Sequence, residues 1–264
     1  MGAYQSGFVA AWGSTPGLWF KLDTTTPFAN SGTLGSTQVF NGTYVTDPYS
    51  IDTNCVKPTT IGAFARKDQL GFKGPNFTFN FWFRTDSKPT ANIPYVRQVD
   101  GTYSISTSQS YIGTDGKVRF AGTYNSVNSP TLTSTTDVCD GYWHMITIRR
   151  TTSTTCAMFI DGVLEASSTS WPSANTFTAS GQFFFCEKTA GSGDIYFDEL
   201  AVQSVSIGNT NITNIFNLYV QVNKLKYWNG TAWTKPLSVT QWDGSSWATF
   251  NGKIWNGSVW QDIL

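Results

Sequence analysis

The chain has 264 residues, 17 Lys plus Arg against 17 Asp plus Glu, a single histidine, and 13% charged residues beside 16% aromatic ones. Balanced charge leaves no basic footprint for nucleic acid, and no stretch approaches the ~18 consecutive apolar residues of a membrane span. Plentiful Ser, Thr, Gly, Asn and aromatics suit short strands joined by polar turns, and the length accommodates one large β sandwich with a small appendage.

In chain order, the first twenty residues, MGAYQSGFVAAWGSTPGLWF, carry no positive charge and are interrupted by Gly13, Pro16 and Gly17. They do not read as a secretory signal, so the protein is expected to be made in the bacterial cytoplasm without Sec export, with residues 1–14 as an N-terminal arm. In PNFTFNFWFRT, Phe77, Phe79, Phe81 and Phe83 alternate with Thr78, Asn80 and Trp82, which predicts a long central strand with one fully apolar face. Gly116 to Phe120 and Tyr142 to Arg149 read the same way. CAMFIDGVLEAS predicts a hairpin on Asp161-Gly162, a type I′ pair. GQFFFCEK and DIYFDELAVQS supply further strands, and Ile212, Ile215, Phe216 and Tyr219 fall at helical spacing, which predicts a single short helix over 211–219.

From Trp228 onward a phrase recurs three times: WNGTAW from Trp228, WDGSSW from Trp242 and WNGSVW from Trp255. A repeat of this kind is read as one structural unit used several times. With Asn-Gly or Asp-Gly as a two-residue type I′ turn, Trp228 pairs with Thr231 and Lys226 with Trp233, so that the two indoles lie diagonally on one face. A further Asn251-Gly252 turn extends the expectation to a continuous meander over about 224–264. A module of roughly 40 residues without cysteine needs association to hold together. Trp228, Trp233, Trp242, Trp247, Trp255 and Trp260 are therefore candidate assembly or docking residues. The rest of the chain, other copies of it and a glycan are the competing partners, with packing or assembly favoured over sugar.

Candidate chemistry is sparse. Cys55, Cys139, Cys156 and Cys186 allow three pairings, and without an export signal free thiols are expected. No Cys-x-x-Cys, His-Glu-x-x-His or second histidine is present, so no zinc site is assigned. Sugar cleavage needs two carboxylates about 5 to 9.5 Å apart, and no Asp or Glu has another two positions away. The three glutamates are Glu165, Glu187 and Glu199, the last adjacent to Asp198 and so expected on the opposite face of its strand. His144 has no acid in local sequence reach on its strand and is read as structural. Asp115, Asp137 and Asp140 are candidate calcium-ligand carboxylates, but none forms a diagnostic spacing. No cofactor and no metal are assigned. Asn-x-Ser/Thr sequons at Asn41, Asn76, Asn211, Asn229 and Asn256 are accidents of composition.

Leu18-Trp-Phe-Lys-Leu-Asp23, FTFNFWFRTDS, DGYWHMITIRR, MFIDGVLEAS and IYFDELAVQS, in that order, resemble the laminin-G-like, concanavalin-A-like jelly rolls. The resemblance implies an all-β, two-sheet antiparallel sandwich, taken as the domain over 15–222, and the repeated phrases add a Trp-rich β-hairpin repeat module over 223–264. It also implies roles in carbohydrate or protein adhesion. It places His144 in the Trp-His pair that opens a family strand, and Asp198-Glu199 in the closing pair that ties strand to loop. Tandem Trp-Asn-Gly phrases behind such a jelly roll resemble minor tail and other virion-surface proteins of phages that infect actinobacteria. That implies a non-enzymatic virion protein that binds other virion proteins, forms a homo-oligomer with a trimer favoured, and meets a host cell-surface glycan. The alternative is a secreted carbohydrate-binding module or a glycoside hydrolase of the concanavalin A-like class.

Overall fold

The computed structural model describes residues 3–13, 16, 18–20, 38–39, 42–47, 54–68, 76–99, 103–105, 110–124, 127–152, 154–171, 182–223 and six short strands between 227 and 262. Its centre is the Phe77–Thr85 strand, which sits in an eight-stranded antiparallel sheet. Across that sheet the order is Val163–Ser168, Cys156–Ile160, His144–Arg150, Phe77–Thr85, Ile195–Gln203, Asn54–Lys57 and Thr43–Thr46, and Leu18–Phe20 pairs with the second half of Ile195–Gln203. The opposing layer has two ladders. One runs Leu132–Asp137, Lys117–Phe120, Ser110–Ile112, Ile93–Pro94; the other runs from Val127–Asn128 through Val96–Val99 and Gln182–Lys188 to Gln38–Val39.

The alternation of phenylalanines is what joins the two layers. Phe77, Phe79, Phe81 and Phe83 enter one apolar core with Tyr95, Ile112, Val118 and Phe120 from the opposing layer, and the Phe79 and Phe81 rings stack on Tyr95. Side chains of a strand alternate between faces, so Thr78, Asn80 and Trp82 point away from that core. They are nonetheless buried. The reason is a third layer: helices α1 (Ala3–Trp12) and α2 (Asn209–Asn223) cover the outer face of the eight-stranded sheet. Phe8 and Trp12 of α1 and Ile212 and Ile215 of α2 pack there with Trp19, Trp82, Met145 and Phe159, and Trp82 stacks on Phe216. Two polar contacts bridge this buried face: Thr147 Oγ1 donates to Asn80 Oδ1 at 2.6 Å, and Thr78 Oγ1 donates to the Val205 carbonyl at 2.7 Å, while Asn80 Nδ2 has no hydrogen-bond partner among the described residues.

Two expectations change here. The N-terminal segment, given no element by its sequence, forms α1, and the short helix is a 15-residue one. The Asp161-Gly162 turn is a two-residue connection with φ of 53° and 78°, as a type I′ turn requires, between the paired Ile160 and Val163. The four cysteines are free and buried. Burial pushes the Cys139 and Cys156 thiols up to about 12, which leaves them inert packing residues.

Candidate functional site

One end of the sandwich gathers the loops of both layers. Thr85 lies opposite Ile195, Phe83 opposite His144, Ile146 opposite Ile160 and Lys117 opposite Asp137, so the strands of both layers turn at one level. The loops bond across the layers: Thr90 N–H donates to the Gly191 carbonyl at 2.7 Å, and Lys88 reaches Asp137 at 2.8 Å.

The polar groups of this rim form ion pairs. Asp115 takes two hydrogen bonds from the Arg119 guanidinium at 2.8 and 2.6 Å, and that guanidinium first of all holds its carboxyl well below the usual carboxylate range. Arg84 is a hub. It donates to Asp47, to Asp86 at 2.6 Å and to the Gly141 carbonyl at 2.9 Å, while the Trp143 indole N–H donates to Asp47 at 3.2 Å. Arg84 and Lys57 both lie against the Tyr196 ring, at 5.3 and 5.6 Å from its centroid, and Lys57 also pairs with Asp194 at 2.7 Å. His144 is almost fully buried between two carboxylates, Nδ1 at 2.7 Å from Asp161 and Nε2 at 3.0 Å from Asp140.

The sequence-derived candidates fall as follows. Asp115, Asp137 and Asp140 are not brought together: each faces its own basic side chain, and the described residues contain no group of three or more His, Cys, Asp or Glu able to hold a metal. His144 does have acids in reach, contrary to its sequence reading, because the partner turn at Asp161 is folded onto it. Each glutamate is committed to a structural bond. Glu165 accepts the Thr135 and Thr136 N–H groups at 2.7 and 3.0 Å, Glu187 pairs with Arg97 at 2.9 Å, and Glu199 accepts the Trp19 indole N–H at 2.6 Å. Glu199 is also not on the face opposite Asp198. A bulge between Asp198 and Ala201, with Glu199 at φ 47°, turns both acids toward the helix-covered side, and Asp198 Oδ1 accepts the Glu199 N–H at 2.9 Å.

Against this lattice of ion pairs, four of the five large apolar side chains that stand exposed among the described residues lie at the same end: Ile61, Tyr142, Val163 and Leu164. Tyr142 is 66% exposed, yet its loop is pinned. Gly141 N–H donates to the Thr85 carbonyl at 3.1 Å and Tyr142 N–H to Asp140 Oδ1 at 2.9 Å. Sequence reasoning missed Asp47, Arg84, Asp161 and Tyr142 as site residues, since Asp47 meets Arg84 across 37 residues and Asp161 meets His144 across 17, and Tyr142 belongs to no motif of its own.

In the tail the backbone corrects the predicted register. Trp228 lies directly opposite Trp233, Trp242 opposite Trp247 and Trp255 opposite Trp260. The connection therefore spans four residues, with Asn-Gly or Asp-Gly in its first half, and the paired tryptophans are directly opposed instead of diagonal. Among the described residues the three hairpins are separate two-stranded ladders, with no pairing between them.

A model of the concanavalin A-like lectin/glucanases superfamily matches residues 60–213, more than half of the chain. The chain belongs to that superfamily. Its fold is similar to the binding domain of Paraclostridial Mosquitocidal Protein 1, with a TM-score of 0.61 at 14% identity, covering 79% of this chain and 53% of that one. It is similar also to the binding domain of botulinum neurotoxin DC in complex with SialylT, with a TM-score of 0.59 at 14% identity over 79% of this chain and 52% of that one. The botulinum neurotoxin serotype D binding domain gives a TM-score of 0.60 at 13% identity over 79% and 52%. The chain thus spans about half the length of these domains. No curated protein matches it in sequence.

Proposed function

We propose that this chain is a non-enzymatic, glycan-binding jelly roll that meets its ligand through the loop-bearing rim around Tyr142. The observation that carries the reading is an aromatic side chain held exposed on a loop whose backbone is bonded on both sides. An exposed aromatic on a mobile loop pays an ordering cost on binding, whereas a pinned one is preorganised to cover an apolar sugar face. The bonds already made by Glu165, Glu187 and Glu199 support binding without hydrolysis, within a superfamily whose name covers both lectins and glucanases. The similar binding domain of botulinum neurotoxin DC is recorded both with SialylT and with rat synaptotagmin II, so a protein ligand is the competing outcome.

The test is retention of the protein on immobilised bacterial envelope polysaccharide, alongside an assay for released reducing ends. Retention that Tyr142→Ala weakens about tenfold, with an unchanged melting temperature and no released sugar, is the expected result; a tenfold loss corresponds to ~1.4 kcal/mol. Equal retention of both proteins would remove Tyr142 from the contact.

A second reading concerns placement. The three tandem hairpins, each with directly opposed tryptophans, favour a tail used for association. A virion-surface protein of a bacteriophage, trimeric through its tail or docked to another virion protein, is the setting that joins this tail to an adhesive jelly roll. Localisation to the particle would be checked by mass spectrometry of purified virions.

A further inference from the structure

We propose that His144 is a proton-operated latch on the rim, holding the 139–143 loop and its Tyr142 to the Asp161-Gly162 turn only while both ring nitrogens carry a proton. The argument is one of donor count. A neutral imidazole has one N–H and one lone pair, an imidazolium two N–H groups. Both ring nitrogens lie within hydrogen-bond distance of a carboxylate oxygen, Nδ1 to Asp161 Oδ2 at 2.7 Å and Nε2 to Asp140 Oδ1 at 3.0 Å. Each carboxylate also accepts a backbone N–H, Asp161 from Met145 at 2.8 Å and Asp140 from Tyr142 at 2.9 Å, so both meet the ring as acceptors. Two acceptors demand two donors.

Loss of one proton leaves a lone pair facing a carboxylate. The shorter contact, to the less exposed Asp161, keeps the remaining N–H, and the repulsion falls on Asp140, whose side chain is 43% exposed. Asp140 moves with its loop. That movement loads the Tyr142 N–H bond to Asp140 and the Arg84 bond to the Gly141 carbonyl. The other side of the latch stays fixed, because the Gly162 carbonyl accepts the Thr213 hydroxyl of α2 at 2.9 Å.

The charged and titratable groups around the ring act as follows. Asp140 comes from its own loop, Asp161 from the hairpin turn, Arg84 with its partners Asp47 and Asp86 from the central strand, and Tyr219 from α2, where it feels Asp161. Burial of the ring opposes its charge, but the bonds and charges of Asp161 and Asp140 outweigh burial and raise its pKa above the ordinary imidazole value. A raised folded-state value means the latch contributes fully below the unfolded value of about 6.5, and is lost as pH rises through the folded one.

The consequence for adhesion rests on the rim being the contact surface, whereas the latch itself is read without any ligand. His144 is the only histidine, so one Cε1–H resonance reports it in a proton NMR titration of the full chain. The expected result is a midpoint above that of the same chain unfolded in urea, falling in Asp140→Asn and in Asp161→Asn. Hydrogen exchange of the Tyr142 amide should accelerate across that midpoint beyond the intrinsic base-catalysed rise, an excess that Asp140→Asn abolishes. A folded midpoint at or below the unfolded one, or one unmoved in both variants, would overturn the proposal. Asp140→Asn changes a half-exposed side chain, so a folded variant is expected, checked by its far-ultraviolet circular dichroism. If the latch titrates as described while polysaccharide retention is absent, the adhesion reading fails and the latch stands.

Discussion

The Trp19 indole N–H donates to Glu199 Oε2 at 2.6 Å across 180 residues of sequence, with both side chains excluded from solvent. This bond fastens the Leu18–Phe20 strand onto the second half of Ile195–Gln203, beside the bulge that brings Glu199 to the helix-covered face. Removing the acceptor leaves a buried indole N–H unpaired, which costs about 1–3 kcal/mol. Glu199→Ala should lose that much in urea denaturation, and Glu199→Gln, which retains an acceptor oxygen, clearly less. Equal losses in both would show that packing at the bulge, not the bond, is what matters.

Glu165 joins the edge of the eight-stranded sheet to the Leu132–Asp137 strand of the opposing layer, through the Thr135 and Thr136 N–H groups and the Thr136 hydroxyl. Partial burial works against its charge, but the bonds from Thr136 and Thr135 outweigh burial and hold the carboxyl below its ordinary value. A depressed folded-state value contributes stability that is full above the unfolded value of about 4.3, and is lost as pH falls through the folded one. Denaturation midpoints between pH 6 and 3 should therefore fall less steeply in Glu165→Gln than in the parent chain, starting from a lower plateau. Parallel profiles would deny Glu165 this role.

Much of the sandwich was legible because its signals are local. Alternating phenylalanines from Phe77 and the Asp161-Gly162 turn each fix one element from neighbouring residues. The third layer was not legible. Thr78 and Asn80 look like a solvent face, and only the distant Val205 carbonyl, Thr147 and the helices α1 and α2 turn that face into an interior. The rim was hidden for the same reason, since Arg84 finds Asp47 and Gly141, and His144 finds Asp161, through strand pairing and not through spacing. In the tail, the tryptophan phrase marked the hairpins correctly but not their register, because Asn-Gly read alone favours a two-residue turn, whereas each connection has four residues.

Gly162 shows how closely the hairpin turn approaches α2. Its φ is 78°, and a Cβ there would stand 3.0 Å from the Thr213 Cα and 3.2 Å from the Phe216 Cβ. Alanine is thus strained twice, by its backbone conformation and by contact with a helix that cannot retreat without uncovering Trp82. Gly162→Ala should cost more than about 1 kcal/mol. Gly141→Ala, also at positive φ but with open space around its Cβ, should cost less, because it carries the backbone strain alone. Thermal melts of the two variants decide between contact and backbone strain.

The tail makes the sharpest claim about assembly. Directly opposed positions of an antiparallel pair lie on one face, so the register Trp228–Trp233, Trp242–Trp247 and Trp255–Trp260 gives each short hairpin a face with two tryptophan positions. A lone two-stranded hairpin is at best marginally stable in water, and each of these ladders has only two or three residues per strand. On the assembly reading, association with copies of this chain would supply a partner surface, and closed symmetry would use all three hairpins alike. Light scattering should find a trimer for residues 1–264 and a monomer for residues 1–223, the latter cut placed after α2 so that the sandwich and its helical cover stay whole. Trp247→Ala, in the middle hairpin, should weaken the trimer without altering the melting of the sandwich. A monomeric 1–264 chain would leave docking to another protein, or sugar contact, as the use of these tryptophans, and retention of the isolated 1–223 chain on polysaccharide would then tell the two apart.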